Sequence, residues 1–189
     1  MALTATIYHL QVALSDVDRG VYEALDLRLA RHPSESERYL LTRLLAYCLS
    51  HEEGISFSKG GLSSASDAPI SVVDPTGTLL AWIDVGSPSA ERLHKASKAA
   101  DRVALFTAAE LGPLERELRT RTIHRMGDLA VWRLEPGFLE TLEPKVAQHE
   151  ARAGAHRGAA LRDARRQGDG GDDPRDPPRG SERDRLKGA

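Results

Sequence analysis

Apolar and polar positions alternate from Leu3 to Leu14, with a slip of phase between Ile7 and Leu10 that predicts a bulged strand. A turn cluster from Ser15 to Gly20 separates this run from a second alternation at Leu25, Leu27 and Leu29. The two runs read as a β-hairpin that ends at Arg31-His32-Pro33. The period then changes from that of a strand to that of a helix. Leu40, Leu41, Leu44, Leu45, Cys48 and Leu49 share one helical face, with Ser34 as the expected N-cap and Glu37 as the capping-box acid three residues on.

Beyond Gly54 the chain offers a short strand, Ile55–Phe57, and a Gly/Ser-rich loop over 58–66. A strand pair follows, Ile70–Val73 and Thr78–Val85, around the turn Asp74-Pro75-Thr76-Gly77. Ser87, with Pro88 at the first helical position, predicts a helix running to about Ala100. Val103–Phe106 is continuously apolar, as a buried central strand is. A helix around Leu114–Leu118, a strand at Leu129–Leu134 and a helix over Phe138–Val146 complete the order, the last despite Pro144. The fold class is α/β, a mixed β-sheet flanked by helices. The strand–helix–strand crossovers over 78–106 and 103–134 predict parallel pairing there.

The chain of 189 residues has a net charge of −2, which averages two unlike populations. Residues 151–189 hold ten basic and seven acidic side chains but only Leu161 and Leu186 as large apolar residues. A segment so poor in apolar groups cannot offset its ordering entropy and is expected to be a disordered, polar, low-complexity tail. Residues 1–150, with 16 basic and 21 acidic groups, are the working domain. No stretch reads as a signal peptide or membrane span, and the single Cys48 fits a reducing cytoplasm, so a cytoplasmic protein without membrane partners is expected. Phosphate-loop, dinucleotide and serine-hydrolase motifs are absent, as is zinc-ligand spacing. Nucleic-acid binding by this acidic domain needs a local basic patch.

Three places put charge where packing alone does not ask for it. Glu37 lies on the inward side of its helix, either as a cap for the Ser34 N–H or facing a site. Glu35, beside it, suits the helix dipole in any case. Asp84 stands near the carboxyl end of a strand with two apolar faces, where a buried carboxylate must be paired, hydrogen-bonded or metal-bound. Arg92, Lys95 and Lys98 form a basic strip on the next helix. It is either a solvated face or, through Lys95 at the depth of Asp84, part of a site. Asp67 is a turn residue that could add a further ligand. Paired carboxylates with an ammonium nearby are what Mg²⁺-dependent phosphodiester hydrolysis uses: the metal activates water and the cation stabilises charge on the phosphate.

The strings themselves carry a resemblance. MALTATIYHLQVALSDVDRGVYEALDLRLARHPSESERYLLTRLLAYCLS, FSKGGLSS, DPTGTLLAWIDVGSPSAERLHKASKAADRVALFT and AVWRLEP resemble successive segments of the bacterial YaeQ family, over about residues 1–150. The resemblance implies a restriction-endonuclease-like core, a variant of the PD-(D/E)XK fold. Such a core has an acid on its first helix, an acid before or on its second strand and an acid-x-Lys on its third. Carried over, these fall on Glu37 (with Glu35 beside it), Asp67 and Asp84, which implies Glu37, Asp67 and Asp84 as Mg²⁺ ligands. Where the pattern has its lysine this chain has Gly86, so Lys95 or Lys98 must supply the cation. Glu37, Asp84 and Lys95 are then the catalytic set, with Lys98 as a candidate for phosphate contact and Arg31 and Arg43 as residues that either contact phosphate or pair with the acids. The function implied is a Mg²⁺-dependent phosphodiesterase or nuclease acting on nucleic acid. The alternative is a non-catalytic binding or regulatory protein that retains the fold.

Family members continue past their last helix into a β-hairpin, and the tail does not resemble it. Read one nucleotide later from Arg152, with codons chosen to suit, the segment gives ELVRTEGQLYVTLGGKVTVETI, an alternating strand–turn–strand. A frameshifted end is the hypothesis, and the nucleotide sequence of the gene decides it: no such frame, no hairpin.

Overall fold

The computed structural model describes residues 6–58, 67–121, 123–147 and 161–163. Two strands open the chain, β1 (Thr6–Asp16) and β2 (Val21–Arg31), in an antiparallel hairpin whose register runs unbroken from Thr6↔Arg31 to Asp16↔Val21. The expected bulge is absent. Ile7 simply lies on the outward face and is exposed, so the slip of phase is an apolar residue on the wet side. Leu10, Val12, Leu14, Leu27 and Leu29 face inward and are buried.

Helix α1 (Glu37–Leu49) follows, then the antiparallel meander β3 (Ile55–Phe57), β4 (Ile70–Val73) and β5 (Leu79–Val85). Helix α2 (Ala90–Ala99) crosses over to β6 (Arg102–Thr107), which pairs parallel with β5. Helix α3 (Gly112–Thr120) crosses to β7 (Leu129–Leu134), parallel with β6. Helix α4 (Pro136–Ala147) then packs on α1. A sixth strand, β8 (Leu161–Asp163), pairs antiparallel with β7, so the large sheet has the order β3-β4-β5-β6-β7-β8. Those three residues belong to the segment expected to be disordered and are strand instead. The rest of 151–189 lies outside the described residues, as do Leu3 and most of the Gly/Ser loop.

The sheet separates two cores. On one face Ala81, Ile83 and Val85 of β5 join α1, α4 and the inward side of the hairpin in one apolar cluster. On the other, Trp82 and Val103 pack under Ala90, Leu93 and Ala96 of α2 and Leu118 of α3. Helix α1 is thus covered both by the sheet and by the hairpin, and every residue from Leu40 to Leu49 is buried. That explains a helix apolar nearly all round, broader than the single face its spacing predicts.

Helices α1 and α2 both start two residues later than the sequence suggests. Ser36, not Ser34, caps α1 by accepting from Tyr39 N at 3.2 Å, and Ser89, not Ser87, caps α2 by accepting from Arg92 N at 3.2 Å. Ser34 is diverted into a turn, its Oγ 2.6 Å from His32 Nδ1. The expected Ser34–Glu37 capping box does not form.

Candidate functional site

The charged groups of interest gather at the carboxyl end of β5, on two sides of the sheet. Residues 82 and 84 alternate with the α1-facing 81, 83 and 85, so Asp84 faces α2 along with Trp82. Its carboxylate is buried and fully engaged. Oδ2 accepts from Arg92 Nε at 2.6 Å and from Trp82 Nε1 at 3.1 Å, and Oδ1 accepts from Val85 N at 3.1 Å. The Arg92 guanidinium lies 5.5 Å from the Trp82 ring centre, a cation–π contact, and its Nη2 donates to the Asp67 carbonyl at 2.9 Å. Arg92, in the first turn of α2, is therefore the cation of Asp84. Lys95 and Lys98 are one and two turns further along and stay exposed.

Across the sheet, Glu35, just before α1, and Arg43, in its second turn, form a second pair. The Glu35 side chain is completely buried, with Arg43 Nη2 at 3.1 Å from Oε1 and 3.4 Å from Oε2, and its Oε2 also accepts from His32 N at 3.0 Å. Burial pushes the Glu35 carboxyl up, while Arg43 and the His32 N–H pull it back. The same burial lowers the Arg43 guanidinium. Glu37, the first residue of α1, is instead exposed and stands 3.4 Å from Arg31 Nη1. Arg31 is itself committed: its Nε donates to the Glu35 carbonyl and its Nη1 to Tyr8 Oη.

Tyr39 lies between the two pairs. Its ring comes so close to Gly86 that a Cβ there would sit 3.1 Å away, and Gly86 has φ +88°, a conformation that suits glycine. Burial lifts the Tyr39 phenol to about 12, Arg43 working against it and Asp84 with it. The unfolded chain ionises this phenol near 10 and the folded one near 12, so above pH 10 the unfolded state holds fewer protons and stability falls as pH rises through that window. Tyr39→Phe is expected to remove up to about 3 kcal/mol of this alkaline loss, with no effect below the window, as measured by urea unfolding across the alkaline range.

The sequence-derived residues thus do not all come together. Asp84 and Asp67 meet, but through Arg92. Glu37 belongs to the helix on the opposite face from Asp84, and Lys95 touches neither. Among the described residues no three His, Cys, Asp or Glu side chains stand where they would hold a metal ion. Mg²⁺ takes carboxylate oxygens in near-octahedral geometry, and those of Asp84 already accept three N–H groups. This donor set does not fit the ion. Sequence reasoning missed the partner role of Arg92; Arg43 pairs with an acid, Glu35, one of the two roles its position offers. The signal available was Arg92 as the first basic residue after the β5–α2 loop, close enough in sequence to reach back to the strand end.

Known proteins agree with the fold. Residues 1–153 match the family model for YaeQ protein. The uncharacterized YaeQ of Salmonella typhi is 36% identical over 148 residues, covering 75% of this chain and 78% of that one. The uncharacterized YaeQ of Escherichia coli K12 is 41% identical over 109 residues, and the match spans 59% of its length. The crystal structure of YaeQ protein from Pseudomonas syringae superposes with a TM-score of 0.67 at 31% identity, covering 74% of this chain and 76% of that one. The YaeQ structure from Xanthomonas axonopodis pv. citri gives 0.68 at 30%, with 80% and 85% covered. Among the described residues no helix is long and apolar enough to cross a membrane.

Proposed function

The chain belongs to the YaeQ family, and on that premise we propose that it is a non-hydrolytic nucleic-acid-binding protein built on a nuclease-like core. The order α1, the β3-β4-β5 meander, α2 and a parallel β6 supports the core. It sets Glu37 on the first helix, Asp67 before the second strand and Asp84 on the third, as the family resemblance implies. The observation that carries the non-hydrolytic reading is Arg92. Its guanidinium spans the Asp84 carboxylate and the Asp67 carbonyl, the two strand positions that a bound Mg²⁺ would share. A fixed cation there neutralises the acid without offering an activated water.

The partner is read from the helices beyond. Lys95 and Lys98 of α2, and Arg116, Arg119 and Arg121 in and just after α3, are exposed and make no ion pair among the described residues. Glu91 and Glu115 interleave with them and leave an excess of positive charge. Such a patch suits a phosphate backbone even on a mildly acidic domain.

Fluorescence anisotropy with labelled single- and double-stranded DNA and RNA tests both halves. The expected result is binding whose log K falls against log salt with a slope no steeper than about −4.5, five contacts at about −0.9 each. Each of Lys98→Gln and Arg119→Gln is expected to reduce the slope by about one contact, and the oligonucleotides stay intact in Mg²⁺. Absence of binding at low salt would remove the partner. Mg²⁺-dependent cleavage lost in Asp84→Asn would restore hydrolysis, the activity that the family resemblance implies.

A further inference from the structure

A crevice of about 450 Å³ opens at the carboxyl ends of the parallel strands β5 and β6, between the amino ends of α2 and α3. That volume and that position are where open α/β sheets take small ligands. It lies outside the Asp84–Arg92 pair and outside the basic patch. Its chemistry is particular. Leu111, Pro113 and Leu114 form an apolar wall, while the polar groups are hydroxyls and carboxylates.

At this place many α/β proteins hold a phosphate on helix N–H groups. Here the first N–H of α2 is already taken: Ala90 N donates to Glu117 Oε1 at 3.1 Å. The second Glu117 oxygen has no partner among the described residues. Glu110, the other carboxylate of the rim, is held by Arg133. Thr107, buried on the floor and 2% exposed, accepts from Ala109 N at 3.0 Å and keeps its other lone pair and its proton without a partner among the described residues. One anchored carboxylate with an oxygen to spare, one buried hydroxyl and an aliphatic wall define a site for an ammonium group carried on a short apolar chain. From this geometry we infer that the crevice binds a small aliphatic amine in its ammonium form. The ammonium donates to Glu117 and Thr107, and the carbon chain lies along Leu111 and Leu114. This inference is independent of the nucleic-acid reading, since no residue is shared.

Calorimetric titration of the full chain with putrescine, its neutral analogue butanediol and inorganic phosphate tests it. Putrescine is expected to bind, butanediol to bind at least about tenfold more weakly for want of the charge, and phosphate not to bind. Glu117→Gln keeps a carbonyl oxygen for Ala90 N–H and removes the charge, so it should weaken putrescine about tenfold or more with little change in melting temperature. Thr107→Val, which keeps the shape, should also weaken it. Equal binding of the diol, binding of phosphate on the uncapped α3 end, unchanged affinity in both variants, or no putrescine binding at millimolar concentration would each overturn the assignment.

Discussion

Arg43→Met is expected to destabilise the protein by about 3–5 kcal/mol, the usual cost of breaking a buried ion pair from one side. Against a total of about 5–15 kcal/mol for a domain, that is a large share. The physical cause is what remains behind. Glu35, with a fully buried side chain, would keep only the His32 N–H as a donor, and the Ala30 carbonyl would lose the Arg43 Nη2 that now bonds it. Methionine refills much of the volume, so the loss reports charge and not cavity. Burial already raises the Glu35 carboxyl, and without Arg43 it rises further. A raised carboxyl is penalised above its folded-state value and relieved below it, so the deficit of the variant should shrink as pH falls through that value. Glu35→Gln added to Arg43→Met should recover part of the loss. Urea unfolding at neutral and mildly acidic pH measures both effects; a deficit under 1 kcal/mol, flat with pH, would sink this account of the pair.

The second large effect is expected at Arg19→Met, again about 3–5 kcal/mol. Arg19 sits in the hairpin turn and donates Nε to Asp16 Oδ2 at 2.6 Å, where Asp16 is completely buried. Its Nη1 and Nη2 reach the His51 and Cys48 carbonyls at 3.1 and 3.2 Å. Helix α1 has no basic residue in its own last turn, so Arg19 is the cation at its carboxyl end, supplied from 29 residues earlier. The substitution takes the charge partner from a buried carboxylate, which keeps the backbone N–H of residue 19 at 3.1 Å, and removes the donors of two carbonyls at once. Because Arg19 ties the hairpin to α1, hydrogen exchange in β1 and β2 should rise more than in β5 and β6. Uniform loosening of all strands would contradict the tie.

Much of this architecture is legible in the chain because it rests on local pattern. The alternation at Leu25, Leu27 and Leu29, the turn at Asp74–Gly77 and the apolar run at Val103–Phe106 each need only neighbours to be read, and the parallel crossovers follow from connection handedness. The cap of α1 lies two residues beyond the one its pattern suggests because Ser34 and Ser36 have equal intrinsic claims. The choice is made by His32, which takes Ser34, and by Glu35, whose side chain turns inward to Arg43 and leaves Ser36 as the residue before the helix. The candidate site was less legible for a similar reason. Asp84 reads from the sequence as a buried acid needing a partner, but which of Arg92, Lys95 and Lys98 answers it depends on how α2 enters after Gly86. Starting the helix at Ala90 brings Arg92 to the strand end and carries the lysines past it. Glu37 looked inward on a helical wheel, yet at the first helical residue it has no preceding turn to cover it and lies in solvent beside Arg31.

Arg92, Trp82 and the Val85 N–H satisfy the Asp84 carboxylate, and an acid so engaged is expected to take no Mg²⁺. Thermal unfolding of the wild-type chain with and without Mg²⁺, at matched ionic strength, tests it most directly. A ligand at about 100 times its Kd stabilises the native state by about 2.7 kcal/mol, which shifts a domain of this size by several degrees. The expected result is the same melting temperature with and without about 10 mM Mg²⁺, a range well above the affinity of a working site. A rise of several degrees that disappears in Asp84→Asn would contradict it and return the acid to a metal.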